Sequence, residues 1–217
     1  MEILFEDNHL LVVNKPAGLL TEPSGTLQDS VYAQTKQYLK EKYQKPGNVF
    51  LGIVHRLDKP ASGIVLFAKT SKALSRLNEA MRGKKYKKVY AAILENKLPQ
   101  ETSILEHYLV HDDYKASLSS KEKGGKQCKL SYKLLKKKGN FSLVDVLLET
   151  GRYHQIRAQF ALIGCPLLGD YKYGSKEFFM EEAIALHHRE LEFTHPVTGK
   201  VIQVQAVLPP RFEELMQ

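Results

Sequence analysis

The sequence predicts an α+β fold, with a mixed, largely antiparallel central sheet flanked by helices and loops. Three observations predict it. Short β-rich apolar runs outnumber helical stretches. The helices interrupt the strands irregularly, whereas a doubly wound parallel sheet would alternate them. One run, Gly63 to Ala68, is apolar without alternation, as in a strand buried on both faces of a sheet.

In chain order, Ile3 to Phe5 and Leu10 to Lys15 are apolar runs separated by Glu6-Asp7-Asn8-His9, which predicts a hairpin, and Pro16-Ala17-Gly18 ends it. From Leu27 to Tyr43 the residues Leu27, Val31, Tyr38 and Leu39 keep helical spacing, and Lys45-Pro46-Gly47 closes that helix. A loop and Leu51 to Asp58 lead into the central strand. Ser71 is placed to cap the next helix, whose Ala73, Leu74, Leu77, Ala80 and Met81 share one face up to Gly83. Val89 to Leu94, Lys129 to Leu135 and Phe141 to Leu148 read as strands, and Tyr153 to Ile163 as a helix stopped by Gly164. Val201 to Val207 is the last strand, with Ile202, Val204 and Ala206 inward. Between Ser119 and Lys138 eight lysines meet one acid, Glu122, around Gly124-Gly125, which reads as a solvated hairpin.

At 217 residues and 43% hydrophobic, the chain can bury one sizeable core, so residues 1–217 are expected to form a single catalytic-sized domain. That composition excludes a disordered chain, and no run of about 18 apolar residues exists to span a bilayer. The N-terminus lacks the basic region and small-residue cleavage site of a signal peptide, so a cytoplasmic protein is expected. Cys128 and Cys165 stand 37 residues apart without a C-x-x-C spacing, which predicts reduced thiols. Lys+Arg 32 against Asp+Glu 24 gives a net charge of +8, which favours a polyanionic partner.

Phosphate-loop, dinucleotide, zincin and hydrolase-elbow motifs are missing, and the eight histidines are scattered, so neither a cofactor nor a metal is expected. Three segments carry candidate chemistry. Gly52 to Gly63 crowds His55, Arg56, Asp58 and Lys59 onto a loop bent by Pro60 and Gly63 beside the central strand. A carboxylate there is placed to act as nucleophile or base, while the plainer reading makes Asp58 a turn residue that accepts backbone N–H bonds. Thr150 to Arg157 opens a helix with His154 and Arg157 on one face; cations there oppose the helix dipole, so a buried Asp or a phosphate is expected to compensate them. An ordinary helix with a solvated polar face is the alternative. Arg82-Gly83-Lys84-Lys85-Tyr86-Lys87-Lys88 followed by Tyr90 is an electrostatic footprint for phosphates with rings available for stacking, or else a solvated loop.

Taken together these segments resemble the RluA-type family of RNA pseudouridine synthases. The resemblance rests on His55-Arg56-Leu57-Asp58 followed by Ser62-Gly63, on Lys88-Val89-Tyr90-Ala91-Ala92, and on Thr150-Gly151-Arg152-Tyr153-His154-Gln155-Ile156-Arg157. Gly169-Asp170 with Tyr173-Gly174, Leu186-His187, Phe193-Thr194-His195-Pro196, Asn14-Lys15-Pro16-Ala17-Gly18 and Leu208-Pro209-Pro210 extend it over nearly the whole chain. It implies the pseudouridine synthase catalytic fold in a form without an N-terminal S4 RNA-binding domain. It also implies an enzyme that detaches uracil from its ribose, rotates it and rejoins it through carbon within ribosomal or transfer RNA. Such an isomerisation needs no cofactor, and the base must leave the helix to reach a pocket.

The resemblance makes Asp58 the catalytic carboxylate, as nucleophile toward the uridine or as base on the sugar. It makes Arg157 the ion-pair partner that keeps Asp58 ionised, and Tyr90 the ring that packs on the target base. Arg56 is the planar cation entering the stack the base vacates. The RNA-binding set is completed by His55, Arg82, Lys84, Lys85, Lys87, Lys88, Arg152 and His154. No membrane contact and no obligatory protein partner are expected, and a monomer is. Pro60-Ala61, Tyr153 and His188 depart from the family pattern, and none is expected to touch a catalytic group. A non-catalytic RNA-binding or chaperone protein on the same fold, and a metal-dependent nuclease, are the competing functions.

Overall fold

The computed structural model describes residues 1–25 and 28–217. The elements, in chain order, are β1 (Glu2–Glu6), β2 (Leu10–Lys15), α1 (Val31–Lys42), β3 (Gly52–Ile53), β4 (Ser62–Ala68), α2 (Ser71–Arg82), β5 (Lys87–Glu95) and β6 (Thr102–Asp112). They continue with β7 (Lys115–Ser119), β8 (Lys126–Lys138), β9 (Phe141–Leu148), α3 (Gln155–Leu162), β10 (Leu186–Thr194), β11 (Val201–Gln205) and α4 (Pro210–Met216). The fold is α+β, and the strand ladders within each unit described below are antiparallel. The chain divides into two compact units, residues 1–86 with 190–206 and residues 87–189 with 207–217.

In the first unit β2 pairs with β1 and β4, β3 adds to β4, and β10 pairs with β11. All seven residues of β4 are buried, as its unbroken apolar run requires. Leu10, Val12, Ile64 and Leu66 pack with Ala73 and Leu77 of α2 and with Leu191, Phe193 and Val204 in one core. Helix α2 begins one residue earlier than its sequence suggests: Thr70, extended at φ −138, caps it by accepting from the Ala73 N–H, which places Ser71 in the first turn. Ser30 caps α1 in the same way, and the proposed helical position Leu27 lies outside the described residues.

Glu6 ties the hairpin to α1. Burial alone would raise its pKa, but hydrogen bonds from Lys42, Lys69, Tyr43 and Tyr38 outweigh that and lower it to about 2. A carboxyl depressed in the fold adds stability above its unfolded pKa and loses it as pH falls toward the folded one. Stability is therefore expected to decline between pH 4.5 and about 2. In Glu6→Gln this acid limb should flatten, with about 2 kcal/mol lost at neutral pH once screening of the exposed Lys42 is allowed for. Urea midpoints measured across that pH range check it.

In the second unit the strand order is β5-β9-β8-β6-β7. Strands β6 and β7 and helix α4 are absent from the sequence reading. In β6 charged and aromatic residues break the apolar alternation, and Leu105 and Leu109 are its buried apolar residues. Helix α3 starts at Gln155, two residues later than its apolar spacing suggests, because His154 is left-handed at φ 51. Its first six residues are buried, Gln155, Arg157 and Gln159 included, so the solvated polar face the pattern allowed does not exist. Glutamine amides replace water there. Gln159 donates to the carbonyls of Leu105 and Cys128, and Gln155 to that of Lys129, which anchors α3 on β6 and β8. Cys128 and Cys165 are buried free thiols.

Candidate active site

Asp58 sits, half-buried, on a turn closed by the Ala61 N–H donating to its own carbonyl. Backbone bonds pin the residues on either side of it. The Thr21 hydroxyl donates to the Leu57 carbonyl at 2.8 Å and accepts from the Leu57 N–H at 3.1 Å. On the other side the Lys59 carbonyl accepts from the Gly18 N–H and from the Lys15 ammonium, at 3.0 and 3.1 Å. Lys15 is 0% exposed and also donates to the carbonyls of Pro16 and Leu19. Burial pushes its pKa down to about 7, against the opposing charge of Asp58. A lysine wholly enclosed by backbone carbonyls is a structural clamp.

The turn then feeds β4 through Gly63, whose φ of 112 lies where a side chain is strained. Sequence reasoning missed Lys15 and Thr21 as site residues. The one signal was that Lys15 ends an apolar strand instead of lying beyond it.

His55 is half-buried, and its Nε2 accepts from the Leu66 N–H at 3.2 Å, a bond that fixes the loop to the central strand. Arg56 is exposed and paired with Glu22. Its planar cation faces solvent.

The second unit holds Tyr90 and Arg157. Tyr90 is 6% exposed on β5, with its ring stacked on that of His188 at 4.4 Å and 13°. The expectation that His188 would touch no residue given a catalytic role is therefore wrong; on β10 its imidazole covers a face of the tyrosine.

Arg157 forms a buried bidentate pair with Asp170, Nε to Oδ2 at 2.6 Å and Nη2 to Oδ1 at 2.8 Å. This is the buried Asp that a cation at a helix start called for. Nη1 of Arg157 donates to His154 Nε2 at 2.8 Å. A nitrogen that accepts from a guanidinium carries no proton, so Nδ1 is the protonated one and donates to the Tyr173 hydroxyl at 3.0 Å. The same hydroxyl accepts from the Ala116 N–H at 2.7 Å, ending the chain on β7. Asp170 follows Gly169, whose φ is 81 and where a Cβ would lie 2.8 Å from Phe179 Cβ, so the loop that aims Asp170 needs glycine.

His154, expected to contact RNA, is buried at 8% exposure within this network. Tyr153 stacks on it at 3.9 Å, so this departure from the family pattern also reaches the Arg157 network. Arg152, Arg82, Lys84, Lys85 and Lys87 are exposed. Lys88 is not: at 9% exposure it lies beneath Gly151, where a Cβ would stand 3.3 Å from its Nζ, and burial lowers its pKa. Strand alternation explains the difference, since Lys87 and Lys88 project to opposite faces of β5.

Comparison with known proteins agrees with these motifs. The family model described as RNA pseudouridylate synthase matches residues 9–162. The chain is 35% identical over 99% of its length, and 71% of the relative's, to the uncharacterized RNA pseudouridine synthase YhcT of Bacillus subtilis (strain 168). It is 33% identical over its whole length, and 64% of the relative's, to ribosomal large subunit pseudouridine synthase D of Nitrosomonas europaea. In fold it is similar to human RNA pseudouridylate synthase domain containing 4, with a TM-score of 0.82 over 98% of this chain and 90% of that one at 22% identity. The motif residues, the fold and these matches over most of the chain together place it in the RNA pseudouridylate synthase family, in its RluA-type branch, as an isomerase that acts on RNA.

Proposed function

We propose that this protein converts specific uridines of ribosomal RNA to pseudouridine, with Asp58 as the catalytic carboxylate, Arg157 as its ion-pair partner and Tyr90 packed on the target base. The observation that carries the reading is the Asp58 turn, whose flanking residues are held through Leu57 by Thr21 and through Lys59 by Lys15 and Gly18. A nucleophile or base held by backbone bonds keeps its position when its own charge changes. Arg157 is oriented by Asp170 and His154, and a guanidinium suits a carboxylate. Tyr90 is a flat ring held in place by stacking on His188.

The reaction breaks the glycosidic C–N bond, turns the ring and forms a C–C bond at ring carbon 5, from which a proton departs. The freed ring nitrogen takes up a proton in its place, so substrate and product have the same atoms. Extrusion of the uridine costs about a few kcal/mol, supplied by contacts made only by the flipped base and its neighbours. The family relationship favours this activity over a non-catalytic RNA-binding role. Ribosomal RNA is preferred over transfer RNA because relatives over the whole chain carry the name ribosomal large subunit pseudouridine synthase. Among the described residues no helix is long and apolar enough to cross a membrane, and we place the protein in the cytoplasm as a monomer.

Release of tritium from RNA labelled at uracil position 5 tests the activity, and pseudouridine mapping in total RNA with and without the gene identifies the target. No tritium release from ribosomal or transfer RNA would overturn the proposal. For the phosphate rim, neutralising Arg82, Lys84, Lys85 or Lys87 singly should lower the salt slope of RNA binding by about 0.7 to 0.9. Lys88→Gln should leave that slope unchanged, because its buried ammonium meets no phosphate.

A further inference from the structure

We infer that His111, Tyr153 and His154 form a stacking ladder that receives an unpaired nucleobase of the RNA substrate at its solvent end; this rests on the activity proposed above. The rings are in place. Tyr153 lies on His154 with centroids 3.9 Å apart and planes at 17°, and His111 of β6 approaches Tyr153 at 4.1 Å and 42°. The inner rung is rigid, since His154 is bonded through Nδ1 to Tyr173 and through Nε2 to Arg157. Its left-handed φ of 51 is a conformation that costs a non-glycine residue stability and is retained where surrounding contacts impose it.

The outer rungs are open to solvent: Tyr153 is 42% exposed and His111 is exposed. Tyr153 leaves part of its ring in water beyond its contacts with His154 and His111. Stacking on nucleobases is the interaction such a ring offers, and it tolerates any base because each has a π face.

The charge around the ladder fits a phosphate chain. Lys115 lies 5.1 Å over the Tyr173 ring beside the inner rung, Lys172 donates to the Tyr114 carbonyl at the β6–β7 turn, and exposed Arg152 adjoins Tyr153 in sequence. Asp112 and Asp113, also exposed at that turn, are the opposing charges and are outnumbered by the three cations. A base on the ladder is thus flanked by cations for its neighbouring phosphates.

The test is fluorescence titration of an oligouridylate of about ten nucleotides carrying one aminopurine, using the full-length Asp58→Ala chain so that binding is read without turnover. Aminopurine quenching should saturate. Tyr153→Ser should weaken binding about tenfold without changing the salt slope, and His111→Ala should weaken it in the same way. Tyr153→Trp should bind within about twofold of the parent.

In the active chain, Tyr153→Ser should raise KM for RNA about tenfold and change kcat far less. Unchanged binding in Tyr153→Ser, or Tyr153→Trp as weak as Tyr153→Ser, overturns the ladder. So does a fall in kcat at constant KM, which would assign Tyr153 to holding His154 under Arg157. A chain that binds through the ladder yet releases no tritium would instead overturn the activity proposed above and leave the ladder standing.

Discussion

Asp58→Ala is expected to abolish tritium release from labelled RNA, lowering kcat/KM by about a thousandfold or more, while RNA affinity changes by less than about threefold. The reason for so clean a split lies in how the turn is held. The bonds to Thr21, Lys15 and Gly18 engage the backbone of Leu57 and Lys59, and the Asp58 carbonyl accepts from Ala61, so none requires the carboxylate. What disappears is the charge that the reaction uses, whether as nucleophile or as base. It also removes the charge that opposes loss of the Lys15 proton, whose pKa should drop below its present value of about 7. Asp58→Asn should behave alike, because a neutral amide of the same shape can neither attack nor accept a proton. Single-turnover release, measured beside filter binding of the same RNA, checks both halves. A variant that retained more than about a tenth of wild-type release would remove Asp58 from the chemistry.

Asp170→Ala should be the most damaging change away from the reacting atoms. It strips two charge-assisted bonds from Arg157 and leaves a guanidinium buried with its main counter-ion gone. Breaking a buried pair from one side typically costs about 3–5 kcal/mol, which for a chain of this size lowers Tm by about 10 °C. Activity should fall further than stability accounts for, because Arg157 Nη1 also holds His154 and through it Tyr173 and β7. The double variant Arg157→Met/Asp170→Leu separates the two effects. With no charge left to bury, it should be more stable than Asp170→Ala, yet equally inactive. Thermal and urea unfolding of the two variants, with tritium release below their transitions, decides it; a double variant less stable than Asp170→Ala would show that the pair is a net stabiliser.

Where a feature depends on a few neighbouring residues, its sequence signal and its structure coincide. The run Gly63 to Ala68 could be only a strand buried on both faces, and β4 is one. The spacing of Ala73, Leu74 and Leu77 with a terminal Gly83 is helical in itself, and α2 occupies that span. Phe141 to Leu148 is β9 residue for residue. Ends were less legible. Thr70 and Ser71 are both competent caps, and only the backbone conformation at Thr70 chooses between them. The left-handed turn at His154, which delays α3, is set by surrounding contacts that no local pattern reports. The motifs that carry the family resemblance were readable for the same local reason.

Pairing and burial were not readable, because each depends on which distant element packs where. Arg157 and Asp170 are separated by 13 residues and by the end of a helix, and no spacing rule joins them. Lys15, Lys88 and His154 look like solvent-facing cations or contacts in one dimension; strand alternation and a tight turn put all three inside. What Tyr153 and His188 touch is set only by the fold, which places each ring against another, on His154 and Tyr90.

By itself the sequence determined the α+β class, the central strand, the motif loop with Asp58 and the family, since period and motif are properties of contiguous residues. The tertiary structure alone decided which charges are spent inside, Lys15 on backbone carbonyls and Arg157 on Asp170, and which remain in solvent. Desolvation is the physical reason: a cation's role depends on whether packing removes its water, and packing is set by contacts between residues far apart in the chain.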